Sequence, residues 1–207
     1  MVLFPGFQAL DVFGPLDVLN VLSKTHNLTL AILASTTDPV TTKLSRFPND
    51  IGQSILPTHT FESTPPLDVL IVPGGLGTRE STPTLNEAIS YIREVYPKLK
   101  YLITVCTGSG LAARAGILDG KQATINKRAW STITEWGPNV QWIAHARWVV
   151  DGNIWTSSGV SAGIDVTFAW IAAVYGEDMA RTIADVIEYE RHTDSHWDPF
   201  AELYGLK

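Results

Sequence analysis

"YLITVCTGSGLAARAG", residues 101–116, reads as a buried strand that runs straight into a helix. Tyr101 to Cys106 are apolar or strand-forming, Thr107-Gly108-Ser109-Gly110 opens the helix, and Gly116 ends it. A strand joined this tightly to a helix is the repeating unit of a parallel sheet, whose strands need helical crossovers. At the joint stands Cys106, the only cysteine of the chain. As a small hydrophobe it would fill a core gap. As a nucleophile it would sit where the first free N–H groups and the dipole of the helix favour a thiolate. That second reading predicts a thiol pKa below the free value of about 8.5. Gly108 and Gly110 leave room for a substrate or another segment to approach.

The same alternation continues outward on both sides. "MVLF" predicts a short strand and "GPLDVLNVLSK" a helix with Pro15 in its first turn. "LTLAILAS" predicts a strand, and "VTTKLS" with "SILPTHTF" a small hairpin or a pair of edge strands. "LDVLIVPGG" is a continuous apolar run, as in a strand buried on both faces. "TPTLNEAISYIREVYPKL" is an amphipathic helix with Thr82 or Thr84 as its cap. "IAHARWVVDGNIWTSSG" predicts two strands around an Asp-Gly turn, and "SAGIDVTFAWIAAVYG" and "EDMARTIADVIEYERH" two closing helices. Without a linker or repeat, this pattern predicts one α/β domain over residues 1–207, a parallel sheet sandwiched by helices.

Composition narrows the class. A chain of 207 residues with 45% hydrophobic and 17% charged residues is an ordinary globular chain, long enough for a proper core. A net charge of −6 spread along the sequence lacks the basic footprint of a nucleic-acid binder. A single cysteine forms no internal disulfide, so nothing points to an oxidising compartment. The apolar opening stretch is broken by Asp11, Asp17 and several prolines and glycines, and it lacks a basic leader region. No run reaches the ~18 apolar residues of a membrane span. A soluble, cytoplasmic protein is expected. The sequence opens almost inside its first strand, so a few natural residues ahead of Met1 are expected.

Parallel sheets gather their chemistry at the carboxyl ends of the strands. Three stretches fall there: the one holding Asp11, the Pro-Gly-Gly of residues 73–75, and Cys106. The N–H groups of Gly75 and Thr107 form a candidate oxyanion-type pair beside the sulfur, although a bare Pro-Gly-Gly is more often only a turn. Asp11, in "ALDVFGP", reads alone as a loop or capping carboxylate. Held over a Cys106 thiolate, its pKa would rise through like-charge repulsion, making it a general acid. The whole resembles a hydrolase nucleophile elbow with a thiol replacing the hydroxyl. His26, His59, His145, His192 and His196 fall in loops or at element ends. His192 and His196 have ligand spacing, but without a third ligand beyond Asp194 or Asp198 no metal is expected. Trp130, Trp136, Trp142, Trp148, Trp155 and Trp170 read as packing residues, whereas Trp197 with Asp198, Pro199 and Phe200 is a candidate pocket wall or dimer seal.

The blocks "FPGFQALDVFGP", "LDVLIVPGG", "ITVCTGSGLAARAGILDGKQAT" and "DGNIWTSSGVSAGID" resemble the ThiJ/PfpI branch of the class I glutamine amidotransferase-like superfamily, in order and over nearly the whole chain. Within it the likeness is to isonitrile hydratases and their fungal relatives. The resemblance implies a flavodoxin-like fold and usually a homodimer. It further implies a catalytic cysteine at Cys106, an acidic partner at Asp11, backbone donors at Gly75 and Thr107, and Val160 beside the active site. Gly74, Val160 and Asn126 are the candidate pocket residues. Two departures matter: peptidase- and glyoxalase-type members place a His where Thr107 stands, and many relatives carry a His where "ATINK" has Asn126. A Cys-His dyad is therefore not expected. The expected reaction is cofactor-independent hydration of a small-molecule isonitrile to an N-substituted formamide through a thioimidate. The alternatives are a glutathione-independent glyoxalase or amidase using the same thiol, or a redox sensor without catalysis.

Overall fold

A computed structural model describes residues 1–206. The chain enters as an extended segment rather than a full strand: Val2 bridges Leu33 in parallel, and its N–H donates to the Ile71 carbonyl at 3.0 Å. Helix α1 (Ala9–Leu22) follows, then the short strands β1 (Leu33–Ala34), β2 (Val40–Thr41), β3 (Ser54–Ile55) and β4 (His59–Thr60). Next come β5 (Val69–Val72), α2 (Pro83–Val95), β6 (Tyr101–Thr104) and α3 (Gly108–Arg114). After β7 (Gln122–Ala123), α4 (Trp130–Thr134) and β8 (Gln141–Trp142), the hairpin of β9 (Trp148–Asp151) and β10 (Ile154–Ser157) leads into α5 (Ala162–Tyr175), α6 (Glu177–Val186) and α7 (Pro199–Leu203).

The principal sheet has the order β5-β6-β10-β9, parallel except for the edge strand β9. Val2 and Leu3 hydrogen-bond to Ile71 of β5 on one side and Leu33 of β1 on the other, and β1 pairs in parallel with β4. The sheet thus continues through the first residues of the chain. Helices α1, α5 and α6 pack on one another, and α2 packs with α3. This is the flavodoxin-like α/β fold. It aligns the carboxyl ends of β5, β6 and β10, and the site lies there. Trp148, Trp155 and Trp170 are buried in it, and Trp130, Trp136 and Trp142 surround Ile125, Ala129 and Ile133. Among the described residues no helix is long and apolar enough to cross a membrane.

Besides that opening segment, three elements depart from the sequence reading. Helix α1 begins at Ala9, so Pro15 lies inside it and Asp11 joins its first turn. The buried face of Asp11, Val12, Pro15, Leu16 and Val18 outweighs the cost of the N–H that proline lacks. The strand expected over 28–35 shrinks to Leu33–Ala34, because the Ile32 N–H is taken by the Thr58 hydroxyl at 2.8 Å instead of a backbone ladder. The last long helix stops at Val186: Glu188 turns left-handed with φ +51° and the Tyr189 N–H closes on the Ala184 carbonyl at 2.9 Å. The turned chain then delivers the Tyr189 hydroxyl and the His192 N–H to buried Asp165, at 3.1 and 3.0 Å.

Candidate active site

β6 ends at Thr104 and α3 starts at Gly108, leaving two residues and a sharp turn between them and the thiol. Cys106 takes φ +59°, a left-handed conformation that non-glycine residues seldom hold. Its N–H is fixed by the carbonyls of Ser157 and Ser158 at 3.2 and 3.0 Å. The turn fits only because Gly108 has no side chain, since a Cβ there would lie 2.3 Å from the Val72 carbonyl oxygen. The first turn of α3 is anchored by Ser109, whose hydroxyl meets Thr104 Oγ1 at 2.7 Å and the Thr124 carbonyl at 2.9 Å.

Asp11 reaches this turn from the first turn of α1 and is fully buried. Its Oδ2 accepts the Gly74 N–H at 2.9 Å, and Oδ1 is buried without a hydrogen-bond partner. Burial pushes the carboxyl up to about 7, against the lowering effect of the Gly74 N–H and the Cys106 thiol. The carboxyl is thus raised, as expected for a general acid, but chiefly by loss of water rather than by a thiolate.

The thiol departs from expectation more sharply. Burial, and then the charge of Asp11, push Cys106 up to about 12, although the backbone of Val160, the backbone of Thr107 and the Asn126 side chain all favour the thiolate. The N-terminus of a short helix is outweighed by desolvation of a side chain only 5% exposed. The resting pair therefore holds a thiol beside a carboxyl that titrates near neutrality.

The remaining candidates surround this pair in unequal roles. The Asn126 side chain and the Val160 backbone both face the sulfur and favour its thiolate, and the Asn126 amide lies so close over Gly159 that a Cβ there would be 2.7 Å from Nδ2. Val160 has φ +25°, a strained value for a β-branched residue. Gly74 donates to Asp11, and a Cβ on it would strike the Thr107 nitrogen at 2.5 Å. The Thr107 N–H faces the sulfur, but the Gly75 N–H does not join it as an oxyanion pair. It donates instead to Thr107 Oγ1 at 2.9 Å. Thr78, which the sequence reading passed over, completes that knot: its buried hydroxyl lies 2.8 Å from the Gly75 carbonyl and 3.1 Å from Thr107 Oγ1. No signal in "GGLGTRE" marks it. Among the described residues no histidine partners the sulfur. His192 instead stacks on Trp197 and faces Asp165 at 3.3 Å, and exposed His196 lies beside Asp194 at 3.6 Å.

A cysteine turn of this kind on a flavodoxin-like sheet defines a class, and residues 1–173 match the DJ-1/PfpI family, to which the chain belongs. It is 33% identical over 188 residues to the isonitrile hydratase of Pseudomonas putida, covering 91% of this chain and 76% of that one. It is 30% identical over 140 residues to the HTH-type transcriptional regulator GbdR of Pseudomonas aeruginosa, covering 68% of this chain and 37% of the regulator. Among solved structures, a ThiJ/PfpI family protein from Pseudomonas syringae superposes with a TM-score of 0.77 at 29% identity, covering 93% of this chain and 74% of that one.

Proposed function

We propose that the chain hydrates isonitriles to N-substituted formamides, with Cys106 as nucleophile and Asp11 as proton carrier. The observation that carries this reading is the buried Asp11–Cys106 pair, with no histidine beside the sulfur among the described residues. The Asp11 carboxylate takes the thiol proton as the sulfur attacks the terminal carbon of R–N≡C, and returns it to that carbon. The product is the thioimidate R–N=CH–S–Cys106. Water then adds to the same carbon and the C–S bond breaks. One proton of the water ends on nitrogen and the other on sulfur, which releases R–NH–CHO and the free thiol. A carboxyl near pKa 7 is present in both its forms at neutral pH, so it can accept the proton and return it, while bonding to carbon draws the sulfur away from its raised thiol. No amine leaves, so no histidine is needed to protonate one. The Thr107 and Val160 backbone and the Asn126 amide stabilise the sulfur anion that each half-reaction passes through.

The likeness to isonitrile hydratase supports the same reading. A redox sensor fits less well, because oxidation follows thiolate character and exposure, and Cys106 is buried and raised. A glyoxalase or amidase would want the histidine that Thr107 replaces. The reading also takes the chain as half of a homodimer, supported by the apolar residues exposed on α1. In labelled water, the protein with an alkyl or aryl isonitrile is expected to consume the N≡C infrared stretch and yield the matching formamide with labelled carbonyl oxygen. Rapid methylglyoxal turnover, with no formamide from several isonitriles, would overturn the reading.

A further inference from the structure

Asn126 faces the sulfur from a loop after β7, its amide seated over Gly159, and the adjacent Lys127 is buried with its side chain only 1% exposed. An ammonium has three N–H donors, and all three are used here. Lys127 Nζ donates to Thr124 Oγ1 at 2.5 Å, to the Ile125 carbonyl at 3.1 Å and to the Ala146 carbonyl at 2.8 Å. Two of those acceptors belong to the residues just before Asn126, so the loop is folded around its own ammonium. Thr124 is tied in turn to α3 through Ser109 and to β10 through the Thr156 hydroxyl, at 2.9 Å each. The loop and the turn that carries Cys106 are therefore one hydrogen-bonded unit.

The charge of the ammonium is balanced from the far end of the chain. Asp198 Oδ2 lies 3.3 Å from Nζ with no hydrogen bond of its own, as expected when every donor of the ammonium is already taken. The other carboxylate oxygen caps α7, accepting the Phe200 N–H at 3.0 Å, and α7 packs on the turn formed by residues 127–129. Burial lowers Lys127 to about 8 and Asp198 opposes the shift, so the ammonium keeps its charge at neutral pH.

We propose that Lys127 and Asp198 are positioning residues, a buried clamp that holds the Asn126 amide against the Cys106 sulfur and makes docked α7 a working part of the site. The proposal rests on the reading of Cys106 as the nucleophile, but not on which substrate it attacks. Without the ammonium, Thr124, Ile125 and Ala146 each lose a donor and Asp198 is left as a buried charge, so the loop must rearrange and carry the amide away.

The test is the rate of Cys106 alkylation by iodoacetamide as a function of pH, in the wild-type chain and in Lys127→Met, Asn126→Ala and the double variant. Each single change is expected to slow alkylation about tenfold at a given pH and to move the profile upward, the scale of one lost hydrogen bond to a charged group. The double variant is expected to be no slower than either single one, because Lys127 acts through Asn126. If Lys127→Met fails to fold, Asp198→Asn replaces it: it keeps the cap oxygen, removes the charge and is expected to slow alkylation in the same direction. Additive effects, unchanged profiles in the clamp variants, or faster alkylation would overturn the clamp. A wild-type chain that gives this pattern yet forms no formamide would overturn the hydratase reading and support the clamp.

Discussion

At the scale of single residues, the proposed chemistry rests on the shared burial of Asp11 and Cys106. A carboxyl raised from its usual value of 3.8 to about 7 binds a proton more tightly folded than unfolded. Its contribution to stability is therefore full at low pH and is lost as pH rises from about 4 to 7. Asp11→Asn removes this penalty, since the amide is neutral at every pH and can still accept the Gly74 N–H. The variant is expected to melt higher than the wild type at pH 8, and the gain is expected to shrink toward pH 4, as followed by thermal unfolding. Turnover is expected to fall by about two to four powers of ten, the scale of a lost proton carrier. Near-native turnover would reduce Asp11 to a structural carboxyl.

At the scale of elements, what was legible in the sequence was what neighbours in the chain decide. The β6–α3 turn, the Thr82 cap of α2 and the hairpin at Gly152 all have local signals, and all stand where those signals put them. Helix α1 starts ahead of its local signal, because Pro15 reads locally as a first-turn residue, whereas the starting point is set by which side chains the fold buries. In the site, the sequence alone supported Cys106 and Asp11 as candidates. Asn126 and Val160 came through resemblance, because they meet the sulfur from separate loops. The pairing of Lys127 with Asp198 had no local pattern at all, since its two halves lie on either side of β9 and β10. The end of α6 carries a prediction of its own. Glu188 holds φ +51° to close the helix, a conformation that costs a side-chain residue about 1 kcal/mol more than glycine. Glu188→Gly is expected to raise stability by about 0.5–1 kcal/mol in denaturant unfolding, with no change in the transition slope.

At the scale of the whole molecule, Leu10 and Phe13 stand 42% and 45% exposed on α1 on either side of Asp11, and with Leu30, Ile164 and Ile187 they line one shallow apolar hollow. A second copy covering that surface is the homodimer expected here. Light scattering at micromolar concentration is expected to report twice the chain mass, and Phe13→Asp to report one chain. A wild-type monomer would contradict it. The threading of Val2 and Leu3 through the middle of the sheet also bears on synthesis. Leu33 leaves the ribosome soon enough to offer these residues one edge, but Ile71 of β5, which closes the other, emerges only much later. During that interval Val2, Leu3 and Phe4, among the most buried side chains of the finished protein, lack the β5 side of their packing. They are a natural handle for chaperones, and slow translation before β5 would lengthen the window for aggregation.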